Sequence, residues 1–202
     1  LNAFLASSAF AGDVKIGILL GFTGPIESLT PDMASGAELA IKEASDSGAF
    51  MNGSKILPVR GDSTCVDAAA ATATAERLIT SDGVSAIMGA DCSGVTTAVL
   101  QNVATAKGVV MISPSATSPA LSTIEDNGLF FRTSPSDARQ GQVLAEILRE
   151  KNIKSAAMSY TNNDYGKGLA DSIQKNFEAI GGKITISTSH EDGKGDYGAE
   201  VA

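Results

Sequence analysis

The side chains whose type and spacing could support chemistry in this sequence are mostly those of serine and threonine, which carry hydroxyl groups. Ser93 follows a short apolar run at a point where a helix is predicted to begin, and residues 113–118 follow a second apolar run and add further hydroxyls. A helix start leaves backbone N–H groups unpaired, so hydroxyls and N–H groups together can hold a carboxylate there. A plain helix N-cap at Ser93 and an ordinary serine/threonine turn at 113–118 would explain the same residues.

No signature of an enzyme active site is found. The sequence has no G-x-S-x-G elbow, no phosphate-binding P-loop and no G-x-G-x-x-G motif. The single histidine, His190, lies in a polar stretch that predicts a solvated loop, which is a poor place to hold a catalytic base. No group of His, Cys, Asp and Glu has the spacing of metal ligands. We therefore expect a binding protein without catalytic residues, metal or cofactor.

The two cysteines, Cys65 and Cys92, fit neither a C-x-x-C redox motif nor a zinc site. Two interpretations stay open on spacing alone. In an oxidising compartment they could form a disulfide, which would stabilise the fold by about 3 kcal/mol. Otherwise they would be buried thiols that behave as small apolar side chains.

Residues 1–11 differ from the rest of the chain because they are apolar and small. They end in Ala9-Phe10-Ala11, the small-x-small pattern that signal peptidase cuts. We expect a signal-peptide remnant, with the mature chain starting at Gly12 and the protein exported to the periplasm. The net charge of −8 disfavours a nucleic-acid partner, since phosphate binding needs clustered Lys and Arg.

Apolar runs and helical periodicities alternate along the chain, which predicts an α/β protein with doubly wound parallel sheets and right-handed crossovers. Predicted strands cover residues 14–20, 55–60, 84–88, 109–112, 129–133, 155–160 and 183–189, with helices between them. The last two strands cannot bury a sizeable core alone. We expect either that the protein continues beyond this chain or that the chain is a fragment.

Four ordered motifs carry a resemblance to a known family. They are GADCSGVT from Gly89, MISPSATSPAL from Met111, FRTSPSDARQG from Phe131 and YTNNDYGKGLA from Tyr160. With the opening VKIGILLGFTGP, they resemble the type I periplasmic binding proteins, of the leucine/isoleucine/valine-binding kind. The resemblance implies two lobes, with residues 12–135 forming most of lobe 1 and residues 136–202 forming an incomplete lobe 2.

The resemblance also implies a ligand site. Ser93 would hold the α-carboxylate of an amino acid through its hydroxyl and N–H, and Thr117 would share that carboxylate and reach the α-amino group. A backbone carbonyl around Ser115 and Ala116 would accept a hydrogen bond from the same ammonium. Tyr165 would come from lobe 2 and close over the ligand.

Two further features follow from the same resemblance. Cys65 and Cys92 correspond to the disulfide of the family. Leu29 stands roughly where the leucine-type proteins carry an aromatic that covers a branched side chain, so the side-chain preference stays open. The acidic partner of the ammonium would lie beyond Ala202.

The implied function is capture of a small amino acid, branched-chain or hydrophobic, or of an amide or γ-amino analogue. Lobe closure near residues 133–137 would bury the ligand, and the closed form would dock on the membrane permease of an ABC transporter. We expect a monomer. A ligand-sensing domain of a receptor or an amide-sensing regulator is the main alternative, because it shares the fold. A LacI-type regulator would need a basic helix-turn-helix before the first strand, and an α/β enzyme would need the motifs that are absent.

Overall fold

Two parallel β-sheets organise the protein, and the computed structural model describes residues 12–201. The strands are β1 (Val14–Leu20), β2 (Ile56–Asp62), β3 (Ala86–Gly89), β4 (Val110–Ser113), β5 (Phe130–Arg132), β6 (Ser155–Thr161) and β7 (Lys183–His190). The first sheet has the order β2-β1-β3-β4-β5, and β6 pairs with β7 in the second. Every pairing is parallel. The predicted α/β class with parallel sheets is confirmed.

Helices follow the strands in alternation, as the periodicity predicts. They are α1 (Thr30–Asp46), α2 (Ala68–Thr80), α3 (Ser93–Val99), α4 (Thr105–Lys107), α5 (Asp137–Glu150), α6 (Asp164–Ala179) and α7 (Gly198–Val201). A π-helical turn, Leu100–Ala104, joins α3 to α4 without a break in helical backbone angles. The polar loop predicted after β4 contains a short 3-10 helix, Pro119–Ser122.

Polar residues before the helices explain where α5 and α6 begin. The Ser136 hydroxyl accepts a hydrogen bond from the Ala138 N–H at 3.2 Å, and the Asn163 side chain accepts one from the Gly166 N–H at 2.9 Å. Each cap of this kind stabilises a helix by about 1 kcal/mol. Ser136 is therefore the N-cap of α5.

Strand β1 lies between β2 and β3 in the first sheet, and both of its faces are buried. Leu19 packs into the cluster formed with α2 and α3, which includes Leu78 and Val99. Ile18 and Leu20 point to the opposite face and pack beneath α1. Helices on both faces make this a doubly wound sheet.

Helix α1 covers one face of the first sheet at β1, but the same face is exposed at β4 and β5. Ile112 and Phe131 are register partners on this face, and both side chains are exposed. Their neighbours Met111 and Phe130 point the other way and are buried. The sheet therefore presents an uncovered apolar surface at this end.

The prediction that His190 lies in a solvated loop is wrong, because His190 is the last residue of β7. The proposed signal-peptide remnant, residues 1–11, lies outside the described residues. Within residues 12–201, none of the helices combines the length and the apolarity that crossing a membrane requires.

Candidate ligand-binding site

The carboxyl ends of β3 and β4 bring the two predicted hydroxyl segments together. β3 ends at Gly89 and leads to α3, which begins at Ser93. β4 ends at Ser113 and leads into the loop of residues 114–118, here called the β4 loop. Because β3 and β4 are adjacent and parallel, both segments leave the sheet at the same edge, where doubly wound proteins bind ligands.

A hydrogen bond joins Ser93 to the β4 loop. The Ser93 hydroxyl accepts from the Ser118 N–H at 3.1 Å, and both residues are buried. Cys92 occupies the N-cap position of α3 and makes no side-chain cap, so Ser93 is the first helical residue and not the N-cap. Among the described residues, nothing accepts the proton of the Ser93 hydroxyl. That proton is available to an acceptor such as a carboxylate.

Two serines of this edge are used within the protein. The Ser113 hydroxyl accepts from the Ala116 N–H at 2.9 Å and donates to the Ala90 carbonyl. The Ser115 hydroxyl donates to the Asp91 carbonyl at 3.0 Å. These three bonds shape the β4 loop, and the Ser115 hydroxyl proton is already donated within the protein.

Arg132 holds the carbonyl groups of the β4 loop. Its Nη1 donates to the Ser118 carbonyl at 2.9 Å and to the Ala116 carbonyl at 3.3 Å, and Nη2 donates to the Ser122 hydroxyl. The Ser134 hydroxyl also donates to the Ala116 carbonyl, at 3.4 Å. The Ala116 carbonyl is therefore engaged, whereas the Ser115 carbonyl has no donor among residues 12–201.

Asp137, at the start of α5, holds Thr117 from the other side. Its N–H donates to the Thr117 carbonyl at 2.9 Å. Burial raises the pKa of the Asp137 carboxyl, while the Thr117 side chain and the charge of Arg132 act in the opposite direction. The Thr117 N–H has no acceptor within the described part of the chain, so it remains available to a ligand.

One buried carboxylate, that of Asp91, links three strand ends. Its Oδ2 accepts from the Gly21 N–H at 2.6 Å, after β1. Its Oδ1 accepts from the Ser63 hydroxyl at 3.1 Å, after β2, and from the Cys92 N–H at 2.9 Å. Asp91 thereby fixes the segment that leads into Ser93.

The Cys65–Cys92 disulfide fastens the same region, with a Cα–Cα distance of 5.2 Å. It connects the loop after β2 to the residue immediately before Ser93. Both cysteines are paired, so none of the described cysteines is a free thiol.

Tyr165 is the second residue of α6, and its side chain is 43% exposed. The first turn of α6 faces the start of α3, because a Cβ atom on Gly94 would lie 4.0 Å from the Asp164 carboxyl group. A groove of ≈ 670 Å³ runs between α5, α6 and residues 118–120. The described contacts include no hydrogen bond from Tyr165 to Ser93 or Thr117.

Sequence reasoning missed the roles of Asp91, Arg132 and Asp137. All three stand inside or next to the quoted motifs, but their partners are distant in the chain. Arg132 gave the clearest available signal, because a charged residue after two phenylalanines in a strand needs acceptors when it is buried.

His190 forms a pair that the sequence did not predict. Its Nδ1 lies 2.8 Å from the Ser159 hydroxyl, and its ring meets Tyr197 edge-on at 5.3 Å between centroids. The pair belongs to the second sheet and contacts none of the residues predicted to bind ligand. Within residues 12–201, no group of His, Cys, Asp and Glu is arranged to hold a metal ion.

Comparison with known proteins identifies the family. Residues 13–202 match the family described as periplasmic binding protein. The chain belongs to this family. It is 35% identical over 208 residues to the Leu/Ile/Val-binding protein homolog 1 of Brucella abortus, covering 99% of this chain and 54% of that protein. It is 31% identical over 199 residues to the Leu/Ile/Val-binding protein of Citrobacter freundii, covering 98% and 53%.

A solved structure supports the same assignment. The branched-chain amino acid transporter substrate-binding protein LivJ of Streptococcus pneumoniae, in complex with isoleucine, superposes with a TM-score of 0.81. It is 30% identical, and the match covers 94% of this chain and 53% of LivJ. The resemblance to type I periplasmic binding proteins of the Leu/Ile/Val-binding kind is confirmed. This periplasmic binding protein chain spans about half the length of the curated relatives it matches.

Proposed function

We propose that this chain is part of the substrate-binding component of an ABC uptake system and binds a small amino acid between two lobes. The lobes are residues 12–135 and residues 136–202. The ligand is a branched-chain or hydrophobic amino acid, or an amide or γ-amino analogue. The likeness to Leu/Ile/Val-binding proteins and to an isoleucine complex supports this ligand class.

The bond between Ser93 and the Ser118 N–H is the observation that carries this proposal. In this bond the Ser93 hydroxyl is the acceptor, so its proton is left for a ligand carboxylate. Within residues 12–201, the first N–H groups of α3 and the N–H of Thr117 have no acceptor, and they lie on the same edge of the sheet. Hydrogen bonds to an ionised carboxylate are short and strong, so this edge suits the α-carboxylate of an amino acid.

The ammonium end of the ligand would bind the Ser115 carbonyl and the Thr117 hydroxyl. The Ala116 carbonyl is a weaker candidate, because Arg132 and the Ser134 hydroxyl already donate to it. Arg132 and Asp137 act on this end indirectly by fixing the β4 loop.

Tyr165 would cover the ligand from the second lobe. Closure about residues 133–137 would follow because the ligand binds the closed form better than the open form. The closed protein would then dock as a monomer on a membrane permease in the periplasm, after export through a signal peptide that includes residues 1–11.

The decisive test is a thermal-shift screen and calorimetry with the standard amino acids, γ-aminobutyrate and short amides. Ser93→Ala and Thr117→Ala should each weaken binding about ten- to a hundredfold, because each removes a hydrogen bond to a charged group. Ser35→Ala and Thr80→Ala are matched controls, since both hydroxyls are exposed on helices and bond only to a carbonyl of their own helix. Wild-type affinity in both site variants, or no binding by the wild-type protein, would contradict the proposal.

A further inference from the structure

Helix α6 contacts the end of the β4 loop through a glycine, Gly168. A Cβ atom at Gly168 would lie 2.9 Å from Cδ of Pro119 and 3.1 Å from the hydroxyl oxygen of Ser118. Non-bonded carbon atoms normally stay about 3.5–4.0 Å apart. Any residue other than glycine would therefore push α6 and the Ser118–Pro119 segment away from each other.

The backbone of α6 gives no other reason for a glycine at this position. Gly168 lies inside a regular helix, where glycine is a poor helix former, and its φ is not in the left-handed region. Gly36 in α1 offers a contrast, because it is exposed and a Cβ atom there would meet nothing within 4 Å. The close approach distinguishes Gly168 from a helical glycine without a packing role.

The residue that Gly168 touches is tied directly to the candidate site. The Ser118 N–H donates to the Ser93 hydroxyl at 3.1 Å, and its carbonyl accepts from Arg132 at 2.9 Å. Ser118 also follows Thr117 in the chain. Residues three apart in a helix are neighbours on its surface, so Tyr165 lies beside Gly168, one turn earlier in α6.

We infer that Gly168 is a positioning residue that sets how closely α6 approaches the β4 loop, and hence how far Tyr165 reaches over the ligand. The inference rests on the proposed function. A side chain at position 168 disfavours the close arrangement of α6 and the Ser118–Pro119 segment that this structure shows, and ligand affinity falls because Tyr165 then reaches less far over the ligand.

The test compares Gly168→Ala with Gly36→Ala in the full chain. Hydrogen exchange of the Ser118, Ala120 and Leu121 amides is measured without ligand, and stopped-flow kinetics are measured with L-leucine. Gly168→Ala should speed exchange in this segment severalfold and speed leucine dissociation about tenfold, with association little changed. Gly36→Ala should change neither quantity and should raise Tm by about 2–4 °C through its better helix propensity.

A rescue variant separates a local contact from general misfolding. Pro119→Ala removes the Cδ atom closest to position 168, so Gly168→Ala/Pro119→Ala should move leucine dissociation back toward the wild-type rate. No rescue, or identical exchange and kinetics in Gly168→Ala and Gly36→Ala, would overturn the inference. If wild-type protein binds neither leucine nor another standard amino acid while exchange changes as expected, the contact is real and the proposed function is wrong.

Discussion

At the scale of single residues, Asp91 is the buried charge that organises the candidate site. A buried carboxylate is costly unless donors replace its hydration. Asp91 is only 2% exposed, and it accepts hydrogen bonds from Gly21, Ser63 and Cys92, each belonging to a different strand end. The same bonds that offset its burial also hold three loops in fixed relative positions.

Asp91→Asn should lower the free energy of unfolding by about 2–3 kcal/mol, measured by urea denaturation. The amide has only one acceptor oxygen, so its NH₂ group must face one of the three donors. Asp196→Asn is the control, because an exposed carboxylate there accepts one bond from the Gly198 N–H at 2.8 Å. The control should change stability by less than about 0.5 kcal/mol. Equal effects at both positions would show that the Asp91 network contributes little.

The environments of Asp137 and Asp62 shift the pKa of the two carboxyl groups in opposite directions. Burial raises the pKa of Asp137 from its ordinary value of 3.8. Burial acts the same way on Asp62, but hydrogen bonds from the Thr23 hydroxyl at 2.6 Å and the Thr64 N–H at 2.8 Å, among others, hold its pKa below 3.8.

The pH dependence of stability should separate these two acids. The native state binds the Asp137 proton more tightly than the unfolded chain does, so the contribution of Asp137 to the free energy of unfolding falls as pH rises from 3.8 through its raised pKa. Asp62 contributes stability above pH 3.8 that is lost as pH falls through its lowered pKa. Urea titrations of Asp137→Asn and Asp62→Asn against wild type should therefore give differences of opposite slope. If the two stability differences changed with pH in the same direction, the opposite pKa shifts given for Asp137 and Asp62 would be contradicted.

At the scale of elements, two adjacent residues of β5 lie on opposite faces of the sheet, one buried and one exposed. Phe130 is 8% exposed and packs in the main core, whereas Phe131 is 53% exposed on the uncovered face. The ladder with β4 holds both residues in register. Their side chains have the same chemistry, so any difference in their energetic contribution comes from packing.

In the 202-residue chain, Phe130→Ala should lower the free energy of unfolding by about 3 kcal/mol or more, because it empties a packed site. Phe131→Ala should cost less than about 1 kcal/mol, since much of its ring is already in water. Chemical denaturation of the two variants is the measurement. Comparable losses would mean that the face bearing Ile112 and Phe131 is covered in solution.

At the scale of the whole molecule, the candidate site lies where the two sheet units meet. Ser93 and the β4 loop belong to the first sheet, while Tyr165 belongs to a helix of the second. The ligand would first meet the groups of the first sheet and would then be covered by α6. Affinity and retention are therefore expected to depend on different residues.

Tyr165→Ala should speed dissociation of bound L-leucine while leaving the association rate within about threefold of wild type. Stopped-flow measurement of both rates is the test. Tyr197→Ala is the control, because that ring packs against His190 away from the first sheet. A lower association rate with unchanged dissociation in Tyr165→Ala would contradict the closing role.

Much of the fold could be predicted because its signals are local. The apolar run Val14–Leu20 gives β1, Ser136 gives the start of α5, and the order of the four motifs indicates the family. Each signal depends on neighbours within a few positions, where backbone geometry couples side-chain pattern to structure. His190 was misplaced because β7 pairs with β6 alone among the described strands, so its polar residues stay exposed and read as a loop.

The tertiary structure alone decided which residues meet at the candidate site. Asp91 and Gly21 are separated by 70 positions, and no periodicity links them. The approach of Gly168 to Ser118 depends on how two sheet units pack, and the engagement of the Ala116 carbonyl depends on the direction of the Arg132 side chain. The sequence by itself determined the elements and the family, because those follow from local pattern and motif order. A ligand would meet the hydrogen-bond donors and acceptors that remain free, and which ones remain free depends on the hydrogen bonds that distant parts of the chain form with each other.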